Sequence, residues 1–212
     1  MAHRLPVYLV LDVSGSMQGE PIQAVRNGVQ VLVSALRQDP NALETAYLSV
    51  ITFDEQARQL VPLTDLATFQ PPDLQVGTTT SLGEALKVTK DCIEREVQKT
   101  TAEVRGDWKP IVFLMTDGQP TDQWQSGLSE FKSAKVGMVV ACAAGPSADT
   151  GILKQVTDNV VSLDTADSST ISAFFKWVSA SITTSSQKVE LSKAETSNIS
   201  ELPAPPPEIT LV

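Results

Sequence analysis

Apolar residues in this chain gather in short runs of strand length, separated by longer stretches in which they recur every three to four positions. Val7–Val13 is almost continuously apolar, and so are Leu48–Phe53, Ile111–Met115, Val136–Ala143 and Val160–Leu163. Unbroken runs of this length predict strands buried on both faces. Ala57–Leu63 alternates instead and carries Pro62 near its end. That predicts an edge strand, where a missing backbone donor is tolerated. Helical spacing marks Pro21–Arg37, through Ile22, Val25, Val29, Leu32, Val33 and Leu36, and also Leu82–Val97 and Gly127–Ala134. A short helix at Ile152–Val156 and a longer one at Ser172–Ile182 complete the set. Strands alternating with helices predict βαβ units with right-handed crossovers. The expected fold is therefore α/β, a doubly wound and mostly parallel sheet with helices on both faces.

Past about Ser185 the periodicity stops, and Ser, Thr, Glu and Lys give way to the stiff segment Leu202-Pro-Ala-Pro-Pro-Pro-Glu208. This predicts one domain over residues 5–185 and a flexible, Pro-containing tail over residues 186–212. Within the tail, Glu208-Ile-Thr-Leu-Val212 is β-prone and could add to a sheet edge. The prolines before it favour disorder or pairing with another molecule over a fixed strand of the same sheet.

Composition narrows the function classes. The 212 residues suit one domain, and 42% hydrophobic content suffices for a single core. Sixteen basic against 25 acidic residues give a net charge of -9, which argues against nucleic acid as a partner. Cys92 and Cys142 stand far apart and read as small buried hydrophobes rather than a disulfide framework. The N-terminal run broken by Asp12 is too short for a secretion signal, and no later run could span a bilayer. A cytoplasmic address is expected.

Candidate chemistry sits where strands end. The first strand runs into Asp12-Val13-Ser14-Gly15-Ser16, and Ile111–Met115 runs into Thr116-Asp117-Gly118. Between them, the hydroxyl-rich Gly77-Thr78-Thr79-Thr80-Ser81 opens a helix. Each phrase alone is an ordinary turn or helix cap. If the two Asp-bearing strands are neighbours, however, three loops converge at the carboxyl end of a parallel sheet, where ligands bind. Oxygen donors with two carboxylates suit Mg²⁺, or Mn²⁺, better than zinc or copper.

These phrases resemble a known family. Asp12-Val-Ser-Gly-Ser16 is similar to the DxSxS signature of von Willebrand factor A-type domains, Thr80 to the family's threonine, and Asp117-Gly118 to its second aspartate. The resemblance spans about residues 5–185. It implies a six-stranded sheet of order 3-2-1-4-5-6, with the Ala57–Leu63 strand antiparallel at one edge. It also implies a metal-ion-dependent adhesion site formed by Asp12, Ser14, Ser16, Thr80 and Asp117. There the hydroxyls would coordinate directly, and a partner's carboxylate would complete the shell. Gly15, Met17, Gln18, Gly19, Glu20, Thr78, Thr79, Gln119, Pro120 and Trp124 would rim that face. A narrower resemblance, carried by Leu11–Ile22 and Leu114–Asp122, is to bacterial TerY proteins of tellurite resistance and stress response. It implies a serine/threonine kinase and a PP2C-type phosphatase as partners.

An enzyme is the main rival. Asp12 stands where Mg²⁺-dependent phosphohydrolases keep an aspartyl nucleophile, but Ser14 takes the place of their second acid. No GxxxxGK[ST], HExxH or GxSxG phrase is present, and His3 precedes the first strand. A scaffold that acts mainly through its tail is the third alternative.

Overall fold

The computed structural model describes residues 3–212. Seven strands form one sheet: β1 (Leu5–Asp12), β2 (Ala46–Phe53), β3 (Ala57–Asp65), β4 (Ile111–Thr116), β5 (Met138–Ala144), β6 (Val160–Leu163) and β7 (Thr210–Leu211). Their order is β3-β2-β1-β4-β5-β6-β7, parallel throughout except for β3 on β2 and β7 on β6. The α/β fold and its central strand order match the sequence expectation. The Ala57–Leu63 run is the antiparallel edge it predicted, alternating half-buried with exposed positions.

Six helices cover the sheet: α1 (Glu20–Leu36), α2 (Pro40–Thr45), α3 (Leu82–Glu96), α4 (Trp124–Phe131), α5 (Thr150–Val156) and α6 (Ser168–Leu191). The pleat of β1 sorts its side chains between two cores. Val7, Leu9 and Leu11 meet α1, α2 and α6 through Val25, Leu32, Ala42 and Phe174, whereas Tyr8 and Val10 meet α3, α4 and α5 through Leu86, Leu128 and Leu153. Cys92 and Cys142 are buried and free, as expected of small core residues.

The C-terminal tail departs from expectation. Helix α6 runs on to Leu191, past the boundary expected at residue 185, and the remaining chain folds back over it. Leu202 and Ile209 are buried, and Trp177 donates its indole N–H to the Pro203 carbonyl at 2.8 Å. β7 pairs with β6 rather than with β3, and the Val212 N–H reaches the Val160 carbonyl at 2.9 Å. The proline stretch does not hinder this return. Its few apolar side chains act as isolated anchors, and the chain between them needs no regular structure. Because β7 is antiparallel to β6, the chain ends beside the start of β6. The register of β6 on β5, β5 on β4 and β4 on β1 sets that point level with Val10, near the carboxyl end of β1.

No helix among the described residues is long and apolar enough to cross a membrane.

Candidate metal centre

β1 and β4 are neighbours, and both end in the phrases singled out above. Asp12 is the last residue of β1, and a single 3₁₀ turn, Gly15–Met17, follows Ser14. Gly15 is placed by its backbone: its N–H donates to the Thr78 carbonyl at 3.2 Å, and a Cβ there would stand 3.2 Å from that same oxygen. The Gly77 N–H donates to the Val13 carbonyl at 2.8 Å, so the first two loops are laced together. The third is laced to the second by reciprocal bonds, Thr80 N–H to Thr121 Oγ1 at 3.0 Å and Thr121 N–H to the Thr80 carbonyl at 2.9 Å. Thr80 comes close to the second aspartate's turn, since a Cβ on Gly118 would lie 3.8 Å from Thr80 Oγ1.

Side chains complete the cluster. Ser14 Oγ and Ser16 Oγ lie 3.1 Å apart, and Ser16 Oγ donates to Asp117 Oδ1 at 2.7 Å. Asp12 accepts from the Ser14 N–H at 2.8 Å and from the Thr116 hydroxyl at 2.6 Å. Direct bonds therefore link Asp12, Ser14, Ser16 and Asp117, while Thr80 approaches through the backbone of the neighbouring loop. Thr116 and Thr121 were not singled out in the sequence as parts of the site, although both lie in the phrase that carries Asp117.

Asp12, Ser14, Thr80 and Asp117 are buried, whereas Ser16 is exposed. Burial pushes the Asp12 carboxyl above the ordinary range, against the Ser14 and Thr116 donors that pull it down. Asp117 is raised by burial too, opposed by the Ser16 hydroxyl. Among the described residues, no basic side chain pairs with either acid. Two desolvated carboxylates without a cation are costly, and hydroxyl oxygens face them. That environment fits a small divalent ion. Among the described residues no three His, Cys, Asp or Glu side chains cluster, here or elsewhere, so the donors of this centre are two carboxylates and hydroxyls.

Some expected rim residues are placed differently. Met17 is fully buried in the core beneath the loop, and Trp124 is half-buried against the α3–α4 core. His3 lies at the other end of β1, tilted against Trp108 with its ring nitrogen 3.0 Å from the Gly106 carbonyl.

The family model described as the von Willebrand factor type A domain matches residues 7–176. The structure is similar to proximal thread matrix protein 1 from the mussel byssus, described with a zinc-occupied MIDAS motif. The identity is 22%, the TM-score 0.61, and the match covers 84% of this chain and 48% of that one. A pilus adhesin, SpaC from Lactobacillus rhamnosus GG, is 18% identical with a TM-score of 0.66, over 86% of this chain and 30% of its own. The ArnB paralog VWA2 from Sulfolobus acidocaldarius is 17% identical with a TM-score of 0.59, over 85% and 45%. The chain spans less than half the length of each, and at these identities the likeness is one of fold. Comparison with curated proteins gave no match. With its sheet order, its helices on both faces and a family match over most of its length, the chain belongs to the von Willebrand factor type A domain family.

Proposed function

We propose that this chain is a non-catalytic, metal-dependent protein-interaction module. Asp12, Ser14, Ser16, Thr80 and Asp117 would hold Mg²⁺, with Mn²⁺ as the nearest substitute. The observation that carries this reading is the pair of buried acids, unpaired by any described base and joined by hydroxyls from loops at one end of the sheet. Bound there, a divalent ion supplies an electrophilic position that a partner's carboxylate can complete, even on a chain of net charge -9. Thr116 and the Ser14 N–H hold the Asp12 carboxylate, and Gly118 leaves room beside Thr80.

Catalysis by Asp12 is disfavoured by the same contacts. Both its oxygens already accept hydrogen bonds, and it is 1% exposed. His3, the one histidine, sits at the far end of β1. The likeness of Leu11–Ile22 and Leu114–Asp122 to TerY proteins supports a cytoplasmic place in a stress and tellurite-resistance signalling system. A serine/threonine kinase and a PP2C-type phosphatase would be its partners there.

Calorimetric titration tests the metal, and pull-down in Mg²⁺ against chelator tests the partner. We expect about one Mg²⁺ or Mn²⁺ site per chain, lost in Asp12→Ala with the fold retained, and partner capture only with the metal. Zinc belongs in the same titration, given the mussel protein's described occupancy. Equal Mg²⁺ binding by wild type and Asp12→Ala would overturn the assignment.

A further inference from the structure

At the opposite end of the sheet the chain forms a second concavity, of about 480 Å³. It lies between the last turn of α3, the segment leading into β4 and the turn after α4. Val97, Trp108 and Pro110 form its apolar wall, and Lys99, Lys109 and Lys135 stand around it. The six residues of β4 separate it from the Asp117 loop by about 20 Å of strand.

Three lysines around one cavity run against the character of a chain whose net charge is -9. The two acids that also line it are already matched: Glu94 pairs with Lys90 at 2.9 Å, and Asp107 pairs with Arg4 at 2.5 Å. Lys109 pairs with Glu195 at 3.1 Å. Lys99 and Lys135 are exposed and form no ion pair among the described residues. A lysine can also be placed to answer the carbonyl end of a helix, but that effect fades beyond the last turn. Lys99 comes three positions after Glu96, and Lys135 four after Phe131, so both lie past the ends of α3 and α4.

The geometry points to this cavity as a binding site for a small amphipathic anion: a free molecule with an apolar or aromatic body and one acidic group. Its volume falls in the range of sites that enclose a drug-sized ligand. The body would lie on Val97, Trp108 and Pro110, and the acidic group would take charge-assisted hydrogen bonds from Lys99 and Lys135. Since the rest of the molecule repels anions, affinity here depends on those two ammonium groups and weakens with salt.

Anilinonaphthalene sulfonate combines an aromatic body with one permanent anion, and N-phenylnaphthylamine is its uncharged counterpart. Titration of the full chain in chelator, which keeps the sulfonate from any metal at Asp12, should show saturable fluorescence. Affinity should fall about tenfold in a Lys99→Ala/Lys135→Ala double variant, as expected for losing two partly solvated charge-assisted contacts. Ser133→Asp, at another exposed lining position, should weaken the sulfonate in the same direction with an unchanged circular dichroism spectrum. Lys154→Ala on α5 should leave binding as it is, and the uncharged probe should ignore all three changes. Wild-type sulfonate affinity in both cavity variants would overturn the site. So would an equal loss for the uncharged probe.

Discussion

Thr116 ends β4, and its hydroxyl holds the Asp12 carboxylate at 2.6 Å. If Asp12 helps to hold a metal, Thr116→Val keeps the side chain's shape and removes only that donor. Losing a partner that orients a metal ligand costs roughly 10–100-fold in affinity. Magnesium titration of Thr116→Val should therefore show a weakened site in a protein that melts near the wild-type temperature. Residue-scale exposure also ranks the hydroxyls that a kinase could reach, which the sequence leaves open. Ser16, Thr78 and Thr79 are exposed, while Ser14, Thr80 and Ser81 are buried. If a serine/threonine kinase is a partner as proposed, phosphosite mapping after co-expression with it should find modification among the first three. A phosphate on Ser16 would add about -1.5 to -2 charge beside Asp117. Asp12, Ser14, Ser16 and Asp117 were legible in the sequence because acids and hydroxyls stand out at the ends of apolar runs. Thr116 was not, because a threonine closing a strand also fits the strand's own preference.

Between elements, α3 and α4 meet through glycine. A Cβ on Gly127 would collide with the backbone of Gly83, and one on Gly83 would stand 2.6 Å from Trp124 Cα. Neither collision can be relieved by turning a side chain. Gly127→Ala should therefore cost about 1–3 kcal/mol, a fall of several degrees in melting temperature at this chain length. It should also weaken metal binding, because Thr80 lies two residues before α3. Gly28→Ala meets the Phe175 ring on the other face of the sheet, and it should lower stability while leaving the metal site alone. The tail gives a third test at this scale. Burying Leu202 and Ile209 contributes about 1.5–3 kcal/mol each, so deleting residues 192–212 should lower the melting temperature by roughly 10 °C. The fold of the tail leaves no pattern in the sequence because its anchors are single apolar residues whose partners lie elsewhere in the chain: Trp177 is 26 positions from Pro203. Helix α2 went unread although Asp39-Pro40 marks its start, with Asp39 capping the Ala42 N–H at 2.8 Å. At six residues it is too short for a periodic pattern to show.

Across the whole molecule, the set of buried parallel strands was the most legible feature, while their order followed only from the family resemblance. Central strands must be apolar on both sides, and β1, β2, β4 and β5 wear that requirement openly. The charged cavity at the opposite pole left no such trace. Its lysines come from three separate segments, and lysine on a surface is unremarkable until the chain brings several together.

The return of β7 along β6 sets how the molecule can be handled. β1 starts at the end of the sheet opposite Asp12, Thr80 and Asp117, whereas the chain finishes level with Val10 but four strands away from β1, at the β7 edge. A biosensor surface, bead or fluorescent fusion attached ahead of β1 would therefore point the acid-and-hydroxyl loops outward, whereas one attached at the β7 edge would hold them side-on. Immobilisation through the N-terminus should leave the response to a partner in solution intact. Coupling through a cysteine introduced at Gln119, in the loop beside Asp117, should silence it.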